Sequence, residues 1–496
     1  MANGTEDGEG RPIWQRSAVD LERAMGVGEL SAQEITAAFL RRIGQHNLEN
    51  ERLNAVREID PTALQQAEML DRERAQGRVR GPLHGLPVLL KDNIGTVGQL
   101  HTTAGSVALH AQYGVREAPL VRRLKRAGAL ILGKANLTEW ANFMTKNMPN
   151  GYSSLGGQVL NPHGPGRFDV GGSSSGSGAA VAAGFAPLAV GTETSGSILS
   201  PSSSNGIVGI KPTLGLVSRT AIVPIAPSQD TAGPMTGTVA DAALLLAVLA
   251  GPDRADPATL HGPAPRTFGD ALLEASRARD LAGIRIGLPR EGYWARVSDT
   301  AAAVLRDALG TLSALGGTIV DPVALPHGAE LGDWSVLVYE FQPALNAYLG
   351  RLPAWSPVHT MAEVIRYNRE HAARALRYGQ VWFEEAQALS GSLTESRYLE
   401  ARLQDLARSR TEGIDRALHD NGLSALVFPA TAGAGIAAKA GYPSITVPAG
   451  YTDEDGPIGI TFTGSAFSEP TLIRIAAAFE AAAGARRFPT LTERGA

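Results

Sequence analysis

Two rhythms of apolar and polar positions run along this chain. Short, nearly continuous apolar runs alternate with longer amphipathic stretches in which apolar residues recur every three to four positions. The run at 86–91, Leu-Pro-Val-Leu-Leu-Lys, is apolar until its last residue. Such a run predicts a strand covered on both faces, as in α/β sheets. Strands are also predicted at 53–59, 130–133, 188–190, 284–288, 317–321, 425–428, 444–447 and 458–463. Helices are predicted from Ser17 to Met25, at 32–43, where Ser31 and Glu34 form a capping box, from Pro61 to about 78, at 118–127, and at 239–250 after Thr238. Further helices are expected near 300–315, 332–350, 360–390, 394–420 and 470–484. Strands alternating with helices indicate an α/β fold with one wide mixed β-sheet covered by helices on both faces. The region from about 325 to 420 is wholly helical and is expected to wall a pocket. With no internal repeat and no interdomain linker, the expectation is one domain over 17–496 behind a disordered tail at 1–16.

The stretch 171–201 breaks both rhythms. It opens Gly-Gly-Ser-Ser-Ser-Gly-Ser-Gly, passes through a small apolar helix at 179–184 and the strand at 188–190, and closes Gly191-Thr192-Glu193-Thr194-Ser195-Gly196-Ser197. Ser/Gly-rich segments are usually flexible linkers. A linker would not enclose an apolar unit or lie between strongly patterned flanks. Glycines at strand ends permit tight turns and close backbone approach to a ligand. They can also leave N–H groups free beside a serine.

Composition narrows the chemistry. The formal charge of −4 argues against nucleic acid or an anionic membrane surface as a partner. Cysteine is absent, which removes disulfides, thiol nucleophiles and cysteine metal ligands. The ten His residues form no zinc-like cluster, so neither a metal nor any other cofactor is expected. The N-terminus lacks the basic and apolar regions of a secretory signal, and no run of about 18 apolar residues predicts a membrane helix. A cytoplasmic location is expected. Residues 128–135, Gly-Ala-Leu-Ile-Leu-Gly-Lys-Ala, approach a phosphate-binding loop, but they lack its final hydroxyl and read as a strand.

The Gly-Gly-Ser-Ser-Ser-Gly and Gly-Thr-Glu-Thr-Ser-Gly-Ser-Ile motifs resemble the amidase signature. So do the lysine strand Gly85-Leu-Pro-Val-Leu-Leu-Lys91-Asp92-Asn93, the segment 206–213 and the segment 440–448. The resemblance spans roughly residues 17 to 485 and is closest to peptide amidases. It implies an amidase-signature fold and a Ser-cisSer-Lys triad: Ser197 as nucleophile, Ser173 behind a cis peptide as relay, and Lys91 as base. It also implies an oxyanion hole or substrate contacts at Thr194, Ser195 and Gly196. Lysine can serve as such a base when burial keeps it neutral, and the apolar run before Lys91 suits that. Asp92 is adjacent, but strand neighbours point to opposite faces.

The chain departs from the family pattern at Ser195, commonly Gly, and at Leu199, often Arg. Leu199 speaks against a small anionic substrate such as glutamine. The short segment between Pro429 and Gly441 consists mostly of small residues, suggesting a low wall and an open acyl side. The expected substrate is a small-molecule or short-peptide amide, with C-terminal peptide amides foremost and no obligatory partner chain. Alternatives are an aryl acylamidase, a lactam-oligomer hydrolase, or a glutamine-hydrolysing amidotransferase subunit. A non-enzymatic binding protein is disfavoured by the intact Lys91, Ser173 and Ser197.

Overall fold

The computed structural model describes residues 11–492 apart from 115, 296 and 328–332. Its centre is a mixed sheet of eleven strands among the described residues. From edge to edge these are Val56–Ile59, Leu130–Ala135, Pro87–Lys91, Leu188–Glu193, Thr231–Thr236, Val208–Lys211, Ser444–Thr452, Gly456–Thr463, Ala425–Pro429, Arg285–Gly287 and Thr318–Val320. Pro87–Lys91 has a parallel neighbour on each side. Every residue of Pro87–Lys91, Leu130–Ala135 and Leu188–Glu193 is buried. Alternate side chains leave a strand on opposite faces, so here both faces of the sheet are covered. The α/β architecture with one wide mixed sheet is the one expected.

Local signals set several element ends. Ser17 accepts the Asp20 N–H, the Ser31–Glu34 capping box is complete, and Thr238 accepts the Asp241 N–H. The helix Ser175–Ala182 contains only Ser, Gly, Ala and one Val, and all of it is buried. Its small side chains let it lie against neighbouring backbone. A Cβ on Gly176 would come within 2.3 Å of the Asn136 carbonyl oxygen and 2.4 Å of that of Ala55.

The helical region differs from expectation in its continuity. The helix expected over 360–390 is three pieces, Met361–Glu370, Ala372–Ala375 and Val381–Gln387. His371 and Leu376 leave the helical region, and Gly379 is left-handed with φ 81°. The helix expected over 394–420 is Ser396–Ser409 and Asp415–Asn421, joined by a wide turn at Arg410–Ile414. Gly413 in that turn has φ −107° and ψ −108°, outside the helical range. Two central strands, Val208–Lys211 and Thr231–Thr236, carry no alternating pattern. The second reads Thr-Ala-Gly-Pro-Met-Thr and is a strand because Leu188–Glu193 pairs along its whole length.

The main hydrophobic core runs along the sheet and draws on residues from Ile13 to Leu491. Of the expected tail, residues 1–10 lie outside the described residues. Ile13 is buried, and Arg16 pairs with Glu29 at 2.7 Å, so the packed chain begins before Ser17. A second core joins Trp140 and Phe143 to Phe341 and Phe383 of the helical region. That region therefore packs beside the sheet, against the loop that follows strand Leu130–Ala135. Among the described residues no helix is long and apolar enough to cross a membrane.

Candidate active site

Lys91 ends its strand with its amine inside the protein. Its Nζ lies 2.8 Å from Ser173 Oγ, 2.9 Å from Thr192 Oγ1 and 3.1 Å from the Thr192 carbonyl oxygen. Lys91 and Ser173 are fully buried. The peptide bond Gly172–Ser173 is cis. Ser174 N–H donates to the Ser197 carbonyl oxygen at 3.2 Å, so the two Ser/Gly motifs sit side by side. Ser197 begins the turn into helix Leu199–Ser204 and keeps a small exposed fraction, 8%.

Burial lowers the Lys91 amine to about 7, with the charges of Glu193 and Asp230 opposing the shift. No carboxylate lies within ion-pair distance of it among the described residues. The Thr192 carbonyl can only accept, and Thr192 Oγ1 also receives Asn93 Nδ2–H at 2.9 Å. A neutral Lys91 giving both N–H groups to Thr192 keeps its lone pair for the Ser173 hydroxyl.

Two other lysines are fully buried. Lys134, the lysine of the phosphate-loop lookalike, lies in strand Leu130–Ala135 and donates to the Ile94 carbonyl at 2.6 Å and Thr102 Oγ1 at 3.0 Å. It stands 3.6 Å from Asp92. Lys211 donates to the Pro212 carbonyl at 3.0 Å. Burial lowers each to about 8. Of the three, Lys91 alone has a serine hydroxyl beside it.

The turn before Ser197 is held by Glu193. Its carboxylate accepts the N–H groups of Gly196 at 2.7 Å, Ile198 at 2.7 Å and Leu199 at 3.0 Å. The Gly196 N–H is thereby engaged, which leaves those of Thr194, Ser195 and Ser197 as the donors available to an oxyanion. Thr194 is anchored separately. Its Oγ1 donates to Asp230 at 2.6 Å, its carbonyl accepts Gln229 Nε2–H at 3.1 Å, and Asp230 also takes the N–H groups of Ile225 and Ala226. Burial raises the Asp230 carboxyl to about 6, against those hydrogen bonds. Gly196 is left-handed at φ 81°, and a Cβ there would lie 3.6 Å from Ala434 Cβ. The helix Ala434–Ala440 thus meets the turn through its first residue, a small Ala434. Leu199 is fully buried, so it packs beneath the turn and does not line an open pocket. Across the site, Thr138 N–H donates to the Ser173 carbonyl at 3.0 Å. Five residues on, the Phe143 ring lies parallel to Trp382 at 5.4 Å and to the half-exposed Trp334 at 6.0 Å.

Sequence reasoning passed over the supporting residues Asn93, Thr192, Glu193 and Asp230. The first three stand inside the motifs that carry the resemblance. Asp230 is an isolated acid between otherwise uncharged segments, and only the folded chain brings it to Thr194. No group of three His, Asp or Glu side chains among the described residues is arranged to hold a metal ion.

The site thus sets a buried lysine and a cis-linked serine beside a second, nearly buried serine-bearing turn on an eleven-stranded sheet. The amidase family model matches residues 34–473, and the chain belongs to that family, as a hydrolase acting on amides. Its sequence is 39% identical over 487 residues to a probable amidase of Arabidopsis thaliana, covering 96% of this chain and 92% of that protein. The solved native peptide amidase of Stenotrophomonas maltophilia superposes with a TM-score of 0.91 at 41% identity, over 97% of this chain and 99% of that one. Similarity extends to one component of the glutamyl-tRNA(Gln) amidotransferase of Ralstonia nicotianae, 35% identical over 496 residues and covering 93% of this chain and 96% of that protein.

Proposed function

We propose that this amidase removes ammonia from C-terminal peptide amides through Ser197, Ser173 and Lys91. Neutral Lys91 takes the Ser173 hydroxyl proton while Ser173 takes that of Ser197. Ser197 Oγ then attacks the amide carbon. The oxyanion meets the N–H groups of Thr194, Ser195 and Ser197, fixed in advance by Glu193 and Asp230. The proton returns through Ser173 to the amide nitrogen, the C–N bond breaks, and ammonia leaves. Water, deprotonated over the same route, attacks the Ser197 ester and releases the acid.

The observation that carries this reading is the 2.8 Å contact between the buried Lys91 amine and the buried Ser173 hydroxyl. Desolvation suppresses the ammonium form, which is the condition for a lysine base. The substrate class rests on the likeness to a peptide amidase and on two features of the wall. The helix Ala434–Ala440 meets the turn through the small Ala434, and Trp334 leaves aromatic surface open. Both suit an extended, largely neutral acyl group. The chain acts alone in this reading, without a partner chain.

Ammonia release from amidated di- and tripeptides, acetamide, an aryl amide and glutamine, assayed side by side on the purified chain, tests it. Amidated peptides should show the highest kcat/KM, with internal peptide bonds left intact. Preference for glutamine or acetamide would overturn the substrate assignment while leaving the catalytic residues standing.

A further inference from the structure

We propose that a cavity beside the catalytic turn is a second binding site, for amphipathic carboxylates. Its volume is about 520 Å³, within the range of small-molecule sites. It lies between the loop after strand Pro87–Lys91, the segment 219–230, residues 255–257 and the last turn of helix Ser335–Leu349. Neither Lys91, Ser173 nor Ser197 lines it. Its connection to the chemistry is Asp230, which lines the cavity and holds Thr194 Oγ1 at 2.6 Å.

The charges around the cavity are unevenly committed. Arg219 is consumed by Asp256, through Nε at 2.9 Å and a terminal nitrogen at 2.5 Å, and by the Pro227 carbonyl. Asp230 is consumed by Thr194 and two backbone N–H groups. That leaves Arg116 and Arg351. Both are exposed, and neither has an ion-pair partner among the described residues. Asp253 feels the charge of Arg116, but its carboxylate is taken by the Ser218 hydroxyl at 2.7 Å, the Thr220 hydroxyl at 2.5 Å and the Ala255 N–H at 3.1 Å. Two guanidinium groups are therefore free at the cavity, and a guanidinium presents the planar fork that a carboxylate matches.

The remaining wall is apolar in large part, with Pro224, Ala344, Ala347 and Leu352 among its residues. A bare inorganic anion would leave that surface wet. A neutral apolar molecule would leave both exposed guanidinium groups to water and make no use of them. A carboxylate on an apolar body of about dipeptide size answers both. Peptide acids have this chemistry. Their choice as probe rests on the proposed substrate class, but the site does not.

Isothermal titration of N-acetyl-phenylalanyl-leucine, as its carboxylate, into full-length Ser197→Ala protein tests the inference. One molecule should bind per chain, and binding should persist with the corresponding peptide amide present at saturation. Arg351→Ala and Arg116→Ala, added singly, should each weaken it by about tenfold, and Arg351→Lys should retain part of the affinity. Inorganic phosphate should bind far more weakly. An unchanged melting temperature, expected for exposed side chains, shows that the variants are folded. Absence of binding, undiminished binding in the double arginine variant, displacement by the amide, or phosphate binding as tightly as the peptide acid would each overturn it. If the wild-type chain fails to cleave the peptide amide while the arginine dependence holds, only the substrate reading falls.

Discussion

The Lys91 amine meets Ser173 Oγ at 2.8 Å, while the carboxylate of Asp92, the next residue, meets Arg57 Nε at 2.6 Å and also accepts from the Thr103 hydroxyl. The amine and the adjacent carboxylate are thus kept apart by the alternation of side chains along the extended backbone. Asp92 is spent on Arg57 and Lys134, and among the described residues no carboxylate in ion-pair contact holds Lys91 as an ammonium ion.

Asp92→Asn should therefore lower stability without moving the pH dependence of turnover. It strips the buried Lys134 of its ion-pair partner, while Arg57 keeps Glu58 at 2.7 Å, and breaking a buried pair in this way costs about 3–5 kcal/mol. Urea unfolding and a pH–rate profile check the two halves. A profile shifted by a full unit would tie Asp92 to Lys91.

Turnover should rise with pH through about 7 and level above it. The Lys91 amine is lowered to about 7, so it is mostly protonated, and unable to accept, below that value. The pH dependence of kcat/KM reports the free enzyme. Lys91→Ala should cost at least about 10²–10⁴-fold and abolish the rise near 7. Near-normal turnover by that variant would remove lysine from the mechanism.

Ser197 should be the residue modified by a sulfonyl fluoride or fluorophosphonate. It sits in the turn with N–H donors beside it and keeps exposed surface, whereas Ser173 has none. Peptide mass mapping should place the adduct on Ser197 and find none in Ser197→Ala. Ser173→Ala should be labelled slowly, because the relay is broken while the nucleophile stays.

Glu193→Gln should lower kcat far more than it changes KM. Gln presents an NH₂ where either Gly196 or the pair Ile198 and Leu199 needs an acceptor, which loosens the turn that aims the oxyanion donors. Removing a charged acceptor from buried N–H groups also costs stability, about 1.5–3 kcal/mol. Steady-state kinetics and urea unfolding read both. A variant with wild-type kcat would show that the turn holds its shape without that carboxylate.

The sequence by itself determined the elements whose signals are local. Apolar runs set the buried strands, side-chain hydroxyls at Ser17, Ser31 and Thr238 set helix starts, and the spaced Ser/Gly motifs and lysine strand carried the family and pointed to Lys91, Ser173 and Ser197 as its proposed site residues. These signals survive because alternation, capping and turn chemistry depend on residues only a few positions apart. Packing decided the rest. Thr231–Thr236 is a strand only because its neighbours pair with it, and Gly379 and Gly413 mark breaks that periodicity over 360–420 did not show. The partner of Asp92, the hold of Asp230 on Thr194 and the inward burial of Leu199 join residues dozens of positions apart or set a side chain's depth. Such contacts are fixed by how the sheet and helices close around one another, which no short window of the chain records.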